Sequence, residues 1–86
     1  MMLQTYRKVT AIKAEQFDET AEVILKYHVI PKARFISAPH DESPWLLPTK
    51  EGYMSLKKGD WIATGVESEH WVIANDIFRG TYERCN

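Results

Sequence analysis

The stretch Met54–Glu83, MSLKKGDWIATGVESEHWVIANDIFRGTYE, decides the fold. Lys57-Lys58-Gly59-Asp60 has the composition of a tight turn, with the Asp60 carboxylate placed to bond the turn's own backbone. Trp61-Ile62-Ala63-Thr64 follows with Trp61 and Ala63 on one face. A loop near Val66-Glu67-Ser68-Glu69 then leads back into His70-Trp71-Val72-Ile73, where Trp71 and Ile73 share a face. This is a hairpin. Asn75 or Asp76 is placed to cap a single helical turn carrying Ile77 and Phe78, and Thr81-Tyr82-Glu83 is expected to return to a sheet edge.

Working outward, Lys50-Glu51-Gly52 fits a three-residue hairpin loop whose last residue takes positive φ, joining a strand at Trp45-Leu46-Leu47 to one at Tyr53–Leu56. Residues 31 to 48 hold all four prolines. Ala33–Ser37 is a possible short strand between them, and Ala38–Pro44 reads as a polar loop. Residues 6 to 17 alternate with Val9, Ala11 and Phe17 on one side and Thr10, Ile12 and Ala14 on the other, the period of a strand. Asp18 then offers an N-cap oxygen, and Ala21, Ile24, Leu25 and His28 repeat at helical spacing until Pro31 stops the helix. The expected architecture is a single α+β domain spanning residues 1 to 86, one helix packed on a curled antiparallel sheet in the order β-α-β-meander.

At 86 residues, folding removes roughly 60–65% of the surface of the unfolded chain, enough for one core. Eleven Lys and Arg against twelve Asp and Glu leave the chain near neutral, which argues against a nucleic-acid binder working through bulk positive charge. Residues 35 to 86 are the acidic part, with eight acidic and five basic side chains. The single Cys85 forms no intramolecular disulfide, and Val9–Lys13 after Arg7-Lys8 is too short and polar for an export signal. The longest apolar run, Trp71–Ala74, is far below the ~20 residues of a membrane span. A cytoplasmic protein without membrane contact is expected.

Tyr6-Arg7-Lys8 with Ala14, Gln16 and Phe17, then Gly59-Asp60-Trp61-Ile62 with Gly65, and finally Asp76-Ile77-Phe78 with Thr81-Tyr82-Glu83 resemble a family. Its members are short proteins encoded by tailed bacteriophages and prophages. The resemblance covers both ends of the chain, and the closing block carries more of it through several coinciding spacings. Ser68 stands where that family has glycine in the hairpin loop, Asn75 stands where it has proline, and residues 31 to 45 do not align. The resemblance implies a phage accessory product acting in the bacterial cytoplasm and implies no reaction.

Chemistry-bearing residues give little convergence. His28, His40, His70 and Cys85 lack the two-to-five-residue spacing of metal ligands, so neither a metal nor a cofactor is expected. Ser68 beside Glu67, Glu69 and His70 is a local Ser/His/Glu group, but neighbours on a strand point to opposite faces. Gly52, Gly59, Gly65 and Gly80 make no phosphate-cradling pattern. A catalytic or small-ligand reading through His70 or Cys85 would need Asp60, Trp61 and His70 to converge on one cleft.

Binding is the expected role, with a host or phage protein as partner. Trp and Tyr anchor interfaces, and Trp45, Glu67, Glu69 and Trp71 are the chosen residues, with the loop Pro39–Trp45 alongside. Homodimerisation through an exposed sheet edge is a further expectation. The alternative is a nucleic-acid-binding module whose basic patch is Arg7, Lys8, Lys57 and Lys58.

Overall fold

A computed structural model describes residues 3–4, 12–34 and 42–82. The expected strand over residues 6–11, the Phe35–Ser37 part of the short strand, the loop residues Ala38–Asp41, and Arg7, Lys8, His40, Glu83 and Cys85 lie outside the described residues. The element order is β1 (Lys13–Gln16), α1 (Ala21–Tyr27), β2 (Ile30–Pro31), a 3₁₀ turn (Lys32–Arg34), β3 (Trp45–Thr49), β4 (Gly52–Leu56), β5 (Trp61–Thr64), β6 (His70–Ile73) and α2 (Asn75–Thr81).

The α+β class is as expected, but the described residues form two three-stranded antiparallel sheets and two helices rather than one helix on one sheet. The sheets run β1-β5-β6 and β2-β3-β4. The division falls at the turn 57–60. There Phe17 N–H donates to the Asp60 carbonyl at 2.8 Å, and Gly59 N–H donates to the Phe17 carbonyl at 2.9 Å. These bonds seat β5 beside β1, with Gln16 opposite Trp61 and Lys13 opposite Thr64. The meander therefore leaves one sheet after β4 and enters the other at β5.

The turn itself is built as its sequence dictates. Gly59 has φ +98°, the Asp60 amide donates to the Lys57 carbonyl at 3.1 Å, and the Asp60 carboxylate accepts from the Lys57 backbone N–H at 3.1 Å. In the β3–β4 hairpin, Thr49 pairs with Gly52 across a two-residue loop. Gly52, expected as the last residue of the loop, is thus the first residue of β4, which starts one position earlier than expected, and it holds the expected positive φ.

Helix α1 differs from its sequence reading in both cap and face. Thr20 is the N-cap, its hydroxyl accepting from Val23 N–H, while Asp18 works one step upstream and accepts from the Thr20 amide and hydroxyl at 3.0 and 2.7 Å. The later start turns Val23 and Tyr27, an i,i+4 pair, into the core. Leu25, expected on the buried face, is 74% exposed. The helix ends at Tyr27 rather than at Pro31. His28, expected in the interior, is exposed and takes φ +59°, and Val29 N–H closes back on the Ile24 carbonyl at 2.9 Å. Downstream, Ala33 and Arg34 lie in the 3₁₀ turn rather than in a strand.

Phe17, Val23, Tyr27, Val29, Leu47, Leu56 and Ile62 form the core cluster, with Ile24, Trp45 and Val72 packed against it. Register assigns the faces. Ile62 and Val72 pair on the face of β1-β5-β6 turned to this core, whereas Trp61, Ala63, Trp71 and Ile73 share the other face. Helix α2 lies on that second face, its Phe78 ring stacked on Trp61. It runs two turns instead of the expected one, and its N-cap is Ala74 rather than Asn75 or Asp76. Thr81, expected at a sheet edge, closes this helix.

Candidate functional site

Two neighbouring features sit on the β5–β6 hairpin. The first is its tip. Gly65 N–H donates to the Glu69 carbonyl at 2.9 Å, Ser68 N–H donates to the Gly65 carbonyl at 3.0 Å, and Ser68 takes φ +64°. The Glu69 carboxylate folds back to accept from Glu67 N–H at 3.2 Å, while Glu67 reaches the other hairpin and meets Lys50 Nζ at 3.1 Å. Between the two tips lies an open groove of about 320 Å³ lined by Pro48, Thr49, Lys50, Glu67, Ser68, Glu69 and His70.

His70 forms one side of this groove and is itself held from beneath. Its Nδ1 lies 2.9 Å from Thr64 Oγ1, and its ring meets the edge of Tyr27 with centroids 5.1 Å apart. The catalytic convergence does not occur. Trp61 and His70 stand at opposite ends of the β5–β6 ladder, and Asp60, 4% exposed, spends its carboxylate on Lys57. Among the described residues no group of three His, Cys, Asp or Glu is set to hold a metal.

The second feature is the aromatic outer face of β1-β5-β6. Trp61, Phe78 and Tyr82 form a continuous stack, with centroids 4.0 and then 5.2 Å apart and rings tilted by 11° and 21°. Asn75 fixes its base: the Oδ1 accepts from Trp61 Nε1 at 2.9 Å, from Arg79 Nε at 3.3 Å and from Gln16 Nε2 at 3.4 Å. Trp71 lies on the same face, diagonal to Trp61, and is partly exposed. Beside the stack Ile77 is 58% and Tyr82 38% exposed, so large apolar side chains of α2 are open to solvent.

The residues chosen from sequence divide accordingly. Glu67, Glu69 and Trp71 come together on one hairpin. Trp45 does not join them: it packs edge-on against Phe17, centroids 6.0 Å apart, and its Nε1 donates to Glu19 Oε2 at 3.0 Å. Its ring is held against the core cluster by those two contacts. Of the proposed basic patch, Arg7 and Lys8 lie outside the described residues, and Lys57 and Lys58 are placed at the turn 57–60. Lys57 Nζ is 2.9 Å from Asp60 Oδ1, and the Lys58 charge helps hold the Asp18 carboxyl below its usual range, after the larger effect of the Thr20 hydrogen bonds. The α2 residues Ile77, Phe78 and Tyr82 were missed, although the i,i+4 spacing of Phe78 and Tyr82 carried the signal.

Compared with protein-family models, with curated proteins and with solved structures, the chain finds no match. Among the described residues no helix is long and apolar enough to cross a membrane.

Proposed function

We propose that the chain is a small, non-enzymatic phage or prophage accessory protein. It acts in the bacterial cytoplasm and binds a host or phage protein through the outer face of β1-β5-β6 together with α2. Trp71 and Ile77 are the anchors, and Glu67 and Glu69 form an acidic rim. The observation that carries this reading is the partly exposed Trp71 lying on the same sheet face as the α2 aromatic stack. Large aromatic side chains on a rigid sheet are the usual energetic centre of a protein interface.

The phage setting rests on the residue blocks at the two ends of the chain, and backbone geometry supports it at both departures. Ser68, where the family has glycine, holds the left-handed φ that glycine adopts without steric cost. Asn75, where the family has proline, is the first residue of α2, the helical position proline fits best. The family's residues would thus suit this backbone at both places.

Affinity capture from bacterial lysate, followed by mass spectrometry, tests the reading. One protein is expected to be retained by the wild type, lost from Trp71→Ala and from Ile77→Glu, and kept by Leu25→Glu, since Leu25 is exposed on the helix at the opposite sheet face. Release by Leu25→Glu as well, or retention of nucleic acid in a salt-sensitive manner in place of a protein, would overturn it.

A further inference from the structure

The two helices have seven residues each and are secured in opposite ways. Helix α1 buries Val23 and Tyr27, takes the Thr20 hydroxyl as its N-cap acceptor and closes on His28 in the left-handed region. Helix α2 buries no residue, starts at Ala74 without a side-chain cap bond and carries Gly80 in its last turn. An alanine N-cap and a glycine within the helix each weaken it, and an isolated helix shorter than about 12–15 residues does not persist in water. Docking therefore holds α2 together.

The attachment is concentrated on Trp61. Its ring carries the Phe78 ring, with centroids 4.0 Å apart, and its Nε1 donates to Asn75 Oδ1 at 2.9 Å, so one side chain of β5 grips the helix at two points. Gln16 Nε2 reaches the same oxygen at 3.4 Å, but its shorter bond, at 3.0 Å, goes to the Gly59 carbonyl and lies off the helix. Trp61 and Asn75 are both partly exposed, so water can take over their hydrogen bond as they separate. An element that buries nothing and is gripped in this way opens locally at low cost.

The anchors of the binding face lie on both sides of this joint. Trp71 belongs to β6 and Ile77 to α2, so they share one surface only while α2 is docked. Resting on the binding reading above, we infer that α2 is a latch. It opens at Trp61 while the rest of the protein stays folded, pivoting at the extended residue Ala74, and the partner-binding face exists only in the latched form. Apparent affinity then falls in proportion to the latched fraction, so residues of α2 that touch no partner set how tightly the face binds.

Hydrogen exchange of the full chain, followed by NMR, tests the latch. The Phe78 and Tyr82 amides, bonded within α2, and the Trp61 indole N–H should exchange together. Relative to intrinsic rates, all three should be about a hundredfold or more faster than the Phe17 amide, which is bonded to the Asp60 carbonyl. Gly80→Ala adds a methyl with nothing within 4 Å, on a backbone without positive φ, and should slow all three by about two- to fivefold. Phe78→Ala should speed the indole N–H by about threefold or more. Two results would overturn the inference. Exchange of the α2 amides only at the rate of Phe17 would make α2 an integral part of the sheet, and fast α2 amides beside a slow Trp61 indole would make it a helix that frays in place. A protein captured through Trp71 and Ile77 by a chain showing either result would retain the binding reading and discard the latch. Joint opening with no protein retained would keep the latch and discard the binding reading.

Discussion

The Glu15 carboxylate accepts hydrogen bonds from both Lys26 Nζ, at 2.9 Å, and the Tyr27 hydroxyl, at 2.7 Å, and so ties β1 to α1. Lys26 first, and Tyr27 second, hold the Glu15 carboxyl below its ordinary value of 4.5. Burial first, with Glu15 adding to it, pushes the Tyr27 phenol above its ordinary 10.0.

Because the folded-state pKa of Glu15 is depressed, its contribution is complete above about pH 4.5 and is lost as pH falls through the folded value. Glu15→Gln should cost about 0.5–1 kcal/mol at neutral pH, the modest figure reflecting a carboxylate that is 40% exposed. Urea denaturation from pH 7 downward should show the two proteins converging below pH 4.5. At the alkaline end the sign reverses: stability from the protonated Tyr27 is present below pH 10 and is lost as pH rises through its raised folded value.

His28 ends α1 with φ +59°, a conformation that costs a residue bearing Cβ about 1–2 kcal/mol. Glycine relieves this strain and gives part of the gain back through unfolded-state entropy. His28→Gly should therefore raise stability by about 0.5–1 kcal/mol in urea titration, and His28→Val should lower it.

Asp60 is buried and accepts from Lys57 twice, through the backbone N–H and through Nζ at 2.9 Å. Removing the carboxylate leaves the turn amide without its acceptor, so Asp60→Ala should cost about 1–3 kcal/mol. Lys57→Met retains the backbone bond and should cost less. Thermal unfolding of both variants gives the comparison.

Trp61 and Phe78 are stacked with centroids 4.0 Å apart, which ties α2 to the sheet. A double-mutant cycle of Trp61→Ala and Phe78→Ala should return a coupling of about 0.5–1.5 kcal/mol. Zero coupling would mean that α2 is held by other contacts.

Turn chemistry was the most legible part of the sequence. Gly52 marked positive φ, Lys57-Lys58-Gly59-Asp60 marked a tight turn, and Asp60 marked a carboxylate turned back on that turn, because each property depends on a few adjacent residues. Alternation likewise put Trp61 with Ala63 and Trp71 with Ile73. The face of α1 was not legible: Ile24 and Leu25 satisfy helical spacing as well as Val23 and Tyr27 do, and only the cap at Thr20 selects between them. Division into two sheets depends on Phe17 meeting Asp60, a pairing remote in sequence. For the candidate site, Glu67, Glu69 and Trp71 fall on one hairpin, whereas the place of Trp45 apart from them was not legible, because its partners Phe17 and Glu19 lie far away along the chain.

Docking of the 57–60 turn on Phe17 also sets the order of assembly. Gln16 and Gly59, joined at 3.0 Å, are 43 residues apart, whereas Thr64 and His70 of the β5–β6 hairpin are six apart. Closing the longer loop costs about 2 kcal/mol more chain entropy. Both hairpins therefore form early and the N-terminal strand arrives late, so refolding speed depends on how readily β1 finds Gly59 and Asp60.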